Sequence, residues 1–383
     1  MNVDTPAFIY DEGRILAAAA RARAAVRDDS TRLLFALKSF SIVGGIELIA
    51  SQVDGFAASS LFEAQLARRV LGDRGTVHLT TPGLRADELP RLVELCDYLS
   101  CNSLSQWQAY REQLQGQLSC GLRINPELSF VEDARYDPCR PHSKLGVPLS
   151  QLHRIHAAAP EELVGIEGLH IHSNCDSDDF SQLLATVRHL QENIGDLLAK
   201  VQWLNLGGGY LFDQPRHLEA LAEVKAELQS RYGLQLFVEP GAGIVRQAGS
   251  LAASVVDLFS VDGDPVAVLD TTVNHMPEVF EYQFTPDVSG QQEQGGYPCL
   301  LVGSSCLAGD IFGRYQFAEP LQLGSRVVFE DMGAYSMVKA NMFNGINLPS
   351  IYARTPAGEL VLQRRYDFSD FLSRCGGKTD AGL

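Results

Sequence analysis

A lysine closes the apolar run Leu33-Leu34-Phe35-Ala36-Leu37-Lys38. The run reads as a short strand buried on both faces, and an unpaired ammonium at its end is costly. Lys38 then has three options. Its pKa falls and it becomes a neutral nucleophile, it bonds covalently to a carbonyl, or its tip reaches water where the strand emerges. The first two put it at a reaction centre. His170-Ile171-His172 sets two imidazoles on one face of a strand by alternation. Gly207-Gly208-Gly209 follows Trp203-Leu204-Asn205-Leu206, and such a turn either aims backbone N–H groups at an anion or is a plain tight turn. Glu239-Pro240-Gly241-Ala242-Gly243 follows Gln235-Leu236-Phe237-Val238 and would open a helix toward the same anion. An anion repels a carboxylate, so Glu239 makes sense facing a cation such as a protonated ring nitrogen. In Gly303–Asp310 the thiol of Cys306 and the carboxylate of Asp310 lie four apart, and Asp331-Met332-Gly333-Ala334-Tyr335 offers a hydroxyl. The alternatives there are a small buried Cys and a packed tyrosine in a β-turn.

The elements that must position these residues alternate. Strands at Leu33–Ala36, 55–59, 77–80, 98–100, 122–125, 166–172, 203–206 and 235–238 are separated by helical stretches such as 42–51, 60–71, 180–192 and 218–231. Ser60 and Glu63 are spaced as a capping box. About eight strand–helix alternations suit an α/β fold, a (β/α)8 barrel or a doubly wound sheet. In a barrel the strand ends carrying Lys38, His170, the glycines and Glu239 would share one mouth. Beyond about Ala248 the texture turns to strands and Gly/Pro turns, which predicts an all-β domain. The expected division is a barrel over 21–245 and a β domain over 246–383, with a loose tail from Gly376.

Composition narrows the function classes. The 383 residues carry a formal net charge of -16, which disfavours nucleic acid and anionic membranes as partners. No run is long enough to span a bilayer and the N-terminus has no secretory pattern. The eight cysteines show no CxxC pairing, so reduced thiols and a cytoplasmic location are expected. The His170/His172 pair admits a metal reading, but the other histidines mostly fall in predicted helices or loops, so no metal is expected. Stacking on an aromatic cofactor or a satisfied structural histidine are the other readings.

Taken in order, the lysine strand, the His170 strand, Gly207-Gly208-Gly209, Glu239-Pro240-Gly241, the Cys306–Asp310 loop and Asp331–Tyr335 resemble the pyridoxal-phosphate decarboxylases of the alanine-racemase/ornithine-decarboxylase fold type (fold type III). The resemblance covers nearly the whole chain. Within that group it is greatest to the carboxynorspermidine/carboxyspermidine decarboxylases, through Cys306-Leu307-Ala308-Gly309-Asp310, His275-Met276-Pro277-Glu278, Tyr136-Asp137-Pro138-Cys139 and Phe343–Pro349. It implies a TIM-like barrel with a C-terminal β domain joined by the N-terminal strand (residues 1–20). It implies pyridoxal 5'-phosphate carried by Lys38, with His170 on the ring and Glu239 at the ring nitrogen. Ser173, Gly208, Gly209, Gly241 and Tyr335 would hold the phosphate. Arg123, Glu278, Asp310, Cys306 and position Ala242 would meet the substrate, Asp310 at its amine. Cys306 would come from a partner subunit and reprotonate the substrate carbon, so a homodimer with shared sites is implied.

Two departures bear on the substrate. Diaminopimelate decarboxylases carry Arg after Glu-Pro-Gly and Glu after the loop Cys, where this chain has Ala242 and Leu307. Carboxynorspermidine decarboxylases usually place an acid at the position of Ala242, and Thr-Leu-Cys-Glu where this chain has Ser173-Asn174-Cys175-Asp176. One acidic contact to a polyamine is therefore missing. If 242–246 start a helix, Arg246 lies one turn beyond Ala242 on the same face; either it caps a surface, or the pocket takes a shorter or acidic-tailed substrate, a related carboxylated amino acid of specialised-metabolite or siderophore synthesis.

Overall fold

The computed structural model describes residues 3–378, so the tail beyond Lys378 lies outside the described residues. The chain divides into two compact units, one of Leu16–Ile244 and the other of residues up to Ile15 and from Val245 on. In the first, parallel strands β2 (Thr31–Ala36), β3 (Gly55–Ala58), β4 (Thr76–Thr81), β5 (Tyr98–Cys101) and β6 (Ser119–Asn125) pair in sequence; β1 (Ala7–Asp11) belongs to the other unit. A two-residue β7 (Val147–Pro148) pairs on β6. The ring continues through β8 (Gly168–Ile171), β9 (Trp203–Asn205) and β10 (Gln235–Val238), which pairs back onto β2. This closure decides for the barrel over the doubly wound sheet.

Helices cover its outside because βαβ crossovers must pass over the sheet. They are α1 (Glu12–Val26), α2 (Val43–Ala50), α3 (Leu61–Leu71), α4 (Leu89–Leu95), α5 (Leu104–Leu114), α6 (Leu149–Ala158), α7 (Ser181–Leu198) and α8 (Glu219–Tyr232). At the start of α3 the Ser60 hydroxyl accepts the Glu63 N–H at 3.2 Å. The return bond goes to the N–H of Ser59, not Ser60, at 2.7 Å, so the capping box is shifted by one residue. No described helix is long and apolar enough to cross a membrane.

In the second unit the sheet runs β14 (Ile311–Phe317), β13 (Tyr297–Val302), β12 (Asp264–Leu269), β11 (Gly249–Val261), β1, β16 (Ser350–Arg354), β17 (Leu360–Arg364), with β15 (Arg326–Phe329) also on β11. The N-terminal strand β1 lies inside it, antiparallel to β11 and parallel to β16.

Aromatic side chains fill part of the barrel core. Trp203 packs where Gly121 and Gly168 leave room, since a Cβ at either glycine would collide with its ring. Tyr98 lies edge-on to Trp203 and stacks on His78, with ring centroids 5.5 and 4.2 Å apart. His78 holds the Thr76 hydroxyl at 2.9 Å. Burial pushes the His78 pKa from 6.5 down to about 3, against the pull of Glu239. The unfolded chain therefore binds a proton below pH 6.5 that the fold refuses, so this residue stabilises the fold above pH 6.5 and less as pH falls. Lowering the pH from 7 to 5 should cost about 2 kcal/mol through His78 alone. Urea unfolding at both pH values is expected to show a smaller loss for His78→Phe than for the native chain; equal losses would contradict the assignment.

Candidate active site

Lys38 stands just past its strand. Leu33, Leu34 and Phe35 are fully buried, but β2 ends at Ala36 and Lys38 sits in a 3-10 turn, Leu37–Ser39. The Ala36 N–H donates to the Pro240 carbonyl at 3.1 Å, tying this turn to the end of β10. Solvent reaches the Lys38 side chain, yet burial among protein atoms lowers its pKa, with Glu239 opposing and Arg123 adding to the shift.

Glu239 follows β10 and is 8% exposed. Its Oε1 takes the His170 ring nitrogen Nε2 at 3.0 Å and its Oε2 takes the Asn205 side-chain amide at 3.1 Å. Burial alone would raise its pKa, but His170, Lys38 and His172 outweigh it and hold the carboxyl below the usual range. Burial lowers the pKa of His170, which gives a neutral ring whose Nε2–H donates to the carboxylate. That leaves His170 Nδ1 buried without a partner, as is Arg123 Nε. Arg123 on β6 is in register with His170 on β8. Such orphaned polar atoms are costly unless a ligand meets them.

The two histidines have different jobs. His170 lies within β8, whereas His172 follows its end, and its Nδ1 accepts the Gly208 N–H at 3.2 Å. Burial pushes the His172 pKa well below its ordinary value, helped by Lys38 and Arg123. Among the described residues no three His, Cys, Asp or Glu side chains gather as metal ligands would.

The glycine turn is dictated by close approach. A Cβ at Gly207, Gly208 or Gly209 would strike the carbonyl oxygens of Ile171, Glu239 and Asn174 respectively. Gly207 and Gly209 also have φ of +72° and +86°, which favours glycine. Two of the turn's amides point inward: Gly207 N–H donates to Asn205 Oδ1 and Gly208 N–H to His172. Gly241 is buried, and a Cβ there would press on the Ser39 hydroxyl beside Lys38. Ser173 is buried beside Thr186, whose hydroxyl lies 3.4 Å away. Ala242 opens the one-turn helix α9 (Ala242–Val245), and Arg246 begins a separate 3-10 turn. The helix from Ala242 thus stops just short of Arg246.

Lys38, Arg123, His170, Ser173, the glycines, Glu239 and Ala242 thus belong to the barrel unit, and Glu278, Cys306, Asp310 and Tyr335 to the other. Cys306 is exposed and its N–H donates to Asn344 Oδ1 at 2.7 Å. Tyr335 has φ of +55°. Glu278 pairs with Lys339 at 3.4 Å. The Asp310 carboxylate is hydrogen-bonded within its own loop. It is 3% exposed, and its oxygens accept Val273 N–H at 2.8 Å, Ser305 N–H at 2.9 Å and the Ser305 hydroxyl at 2.5 Å. These bonds hold the shape of its own loop. Asn205 is the buried polar residue of the barrel site that the sequence did not single out.

Known proteins match this arrangement along the whole chain. Residues 12–246 match the family model described as "Pyridoxal-dependent decarboxylase, pyridoxal binding domain". The carboxyaminopropylagmatine decarboxylase of Synechocystis sp. is 36% identical, covering 98% of this chain and 96% of that protein. The carboxynorspermidine/carboxyspermidine decarboxylase of Herminiimonas arsenicoxydans is 32% identical over 97% of this chain and 99% of its own. The solved carboxynorspermidine decarboxylase of Campylobacter jejuni, complexed with norspermidine, superposes with a TM-score of 0.88 at 28% identity, over 97% of this chain and all (100%) of that one. A closed parallel barrel with a lysine, a buried carboxylate and a glycine turn at its strand ends, matched over 12–246, places the chain among the pyridoxal-dependent decarboxylases, carboxy-lyases whose cofactor is pyridoxal phosphate.

Proposed function

We propose that the chain decarboxylates the amino-acid end of a carboxylated polyamine, as a cytoplasmic homodimer in which each copy completes the other's site. The substrate class rests on the full-length likeness to two relatives whose named substrates, carboxyaminopropylagmatine and carboxynorspermidine or carboxyspermidine, are all of this kind.

The barrel residues fit the cofactor: a buried carboxylate able to face a cationic ring nitrogen, and buried His170 Nδ1 and Arg123 Nε in want of partners. Pyridoxal phosphate, when bound, supplies a ring that takes up the electron pair left behind as CO2 departs. Lys38 would hold it covalently, aided by a lowered pKa that favours the neutral amine. Glu239 would keep a proton on the ring nitrogen, and His170 would serve the ring. Ser173, Gly208, Gly209, Gly241 and Tyr335 would hold the phosphate. Arg123 and Glu278 bound the substrate's side, with Glu278 answering a cationic nitrogen. Cys306 of the second copy returns a proton to the substrate carbon, and Asp310 holds the loop that presents it.

A guanidinium-ended substrate is the second reading. It is favoured by the higher identity to the carboxyaminopropylagmatine enzyme and by the small Ala242 at the position where an acid is usual among carboxynorspermidine decarboxylases.

Purified protein loaded with pyridoxal phosphate is offered carboxynorspermidine, carboxyspermidine, carboxyaminopropylagmatine and diaminopimelate, and CO2 is measured. Turnover of one or more of the first three at a higher kcat/KM than diaminopimelate is expected; turnover of diaminopimelate alone overturns the substrate class. Cys306→Ala should keep the cofactor bound while kcat drops about 100-fold, or while deuterium from heavy water enters the product in both configurations. Full activity with one configuration would remove the thiol from the proton transfer.

A further inference from the structure

Asn205 ends β9 in a position that serves two strand ends at once. Its Nδ2 donates to Glu239 Oε2 at 3.1 Å, and its Oδ1 accepts the Gly207 N–H at 2.8 Å. The backbone N–H of Glu239 in turn donates to the Gly207 carbonyl at 2.8 Å. Residues 205, 207 and 239 therefore close a ring of hydrogen bonds across the ends of β9 and β10. Asn205 is 3% exposed, so water does not substitute for these bonds. On the far side His170 holds Oε1.

We propose that Asn205 is a positioning residue: it fixes the plane of the Glu239 carboxylate for the cofactor's ring nitrogen and locks that carboxylate to the glycine turn assigned to the phosphate. The inference rests on the assignment of Glu239 to the ring nitrogen. The chemistry of the side chain supports it. An asparagine donates and accepts at the same time without carrying charge. An aspartate in its place would still accept from Gly207 but would oppose Glu239 charge to charge. A leucine would make neither bond. Donation into Oε2 also favours the ionised carboxylate, the form that a protonated ring nitrogen needs opposite it. One amide thus bears on both ends of the cofactor, the ring nitrogen through Glu239 and the phosphate through the turn that Gly207 opens.

The test is Asn205→Asp, read by cofactor affinity of the cofactor-free protein as well as by turnover. Two carboxylates in contact share a proton at raised pH. Below that pH the protonated aspartate donates to Glu239 as the amide does; above it the two charges repel. At pH 8.5 the pyridoxal-phosphate dissociation constant, followed by fluorescence titration, should rise roughly 10-fold and kcat/KM should fall roughly 100-fold, the size of a lost bond to a charged group. At pH 6 both should return toward the native values measured at that pH. Asn205→Leu should lose both at either pH. Native affinity and turnover in Asn205→Asp at pH 8.5 would overturn the inference. If Asn205→Asp does not fold, Asn205→Leu carries the test through the same two readouts; weaker cofactor binding there supports the inference, and native affinity and turnover overturn it. Glu239→Gln separates the two claims, because native turnover in that variant would remove Glu239 from the ring nitrogen whatever Asn205 does.

Discussion

A carboxylate kept ionised inside a barrel is the constraint on which the site depends. Burying Glu239 costs several kcal/mol unless donors meet it. The donors come from two other strands, His170 of β8 and Asn205 of β9, so the carboxylate is tolerable only when β8, β9 and β10 are in register. The same strand end pins the neighbouring turn, since Pro240 accepts the Ala36 N–H beside Lys38. Lysine and carboxylate are thereby set by one patch of backbone. Their opposite charges bias each other: Glu239 pulls the Lys38 pKa up against burial, and Lys38 helps hold the Glu239 carboxyl low.

Much of this was legible in the sequence because a barrel writes its site at strand ends. Leu33–Ala36 and Gln235–Val238 are apolar runs that stop at a residue of evident chemistry, and periodicity alone exposes that. The positions of Lys38, His170, the glycines and Glu239 followed. Three features did not follow. Asn205 reads as an ordinary strand residue, since its partner Glu239 lies 34 residues away and the contact depends on strand register. The burial of Asp310 and its Ser305 and Val273 donors belong to the folded loop and leave no local signal. His172 read as the twin of His170, but β8 ends between them at Ile171. Strand boundaries and burial are tertiary outcomes that local pattern does not encode.

The two units carry different candidate residues. The barrel carries a site built on rigid strand ends, where close backbone approach leaves glycine as the only residue that fits at Gly208 and Gly209. The sheet unit carries Cys306 on an exposed loop whose shape is held by Asp310 from within and by Asn344 from outside. Ala242 puts a small side chain at its strand end, and Glu278 in the sheet unit is paired with Lys339.

The most direct test of the account is to load the protein with pyridoxal phosphate, reduce it with borohydride, digest it and sequence the peptide that carries the pyridoxyl group. The account predicts a single modified peptide containing Phe35-Ala36-Leu37-Lys38, with the label on Lys38. A label on any other lysine, or none after saturating cofactor, would contradict it.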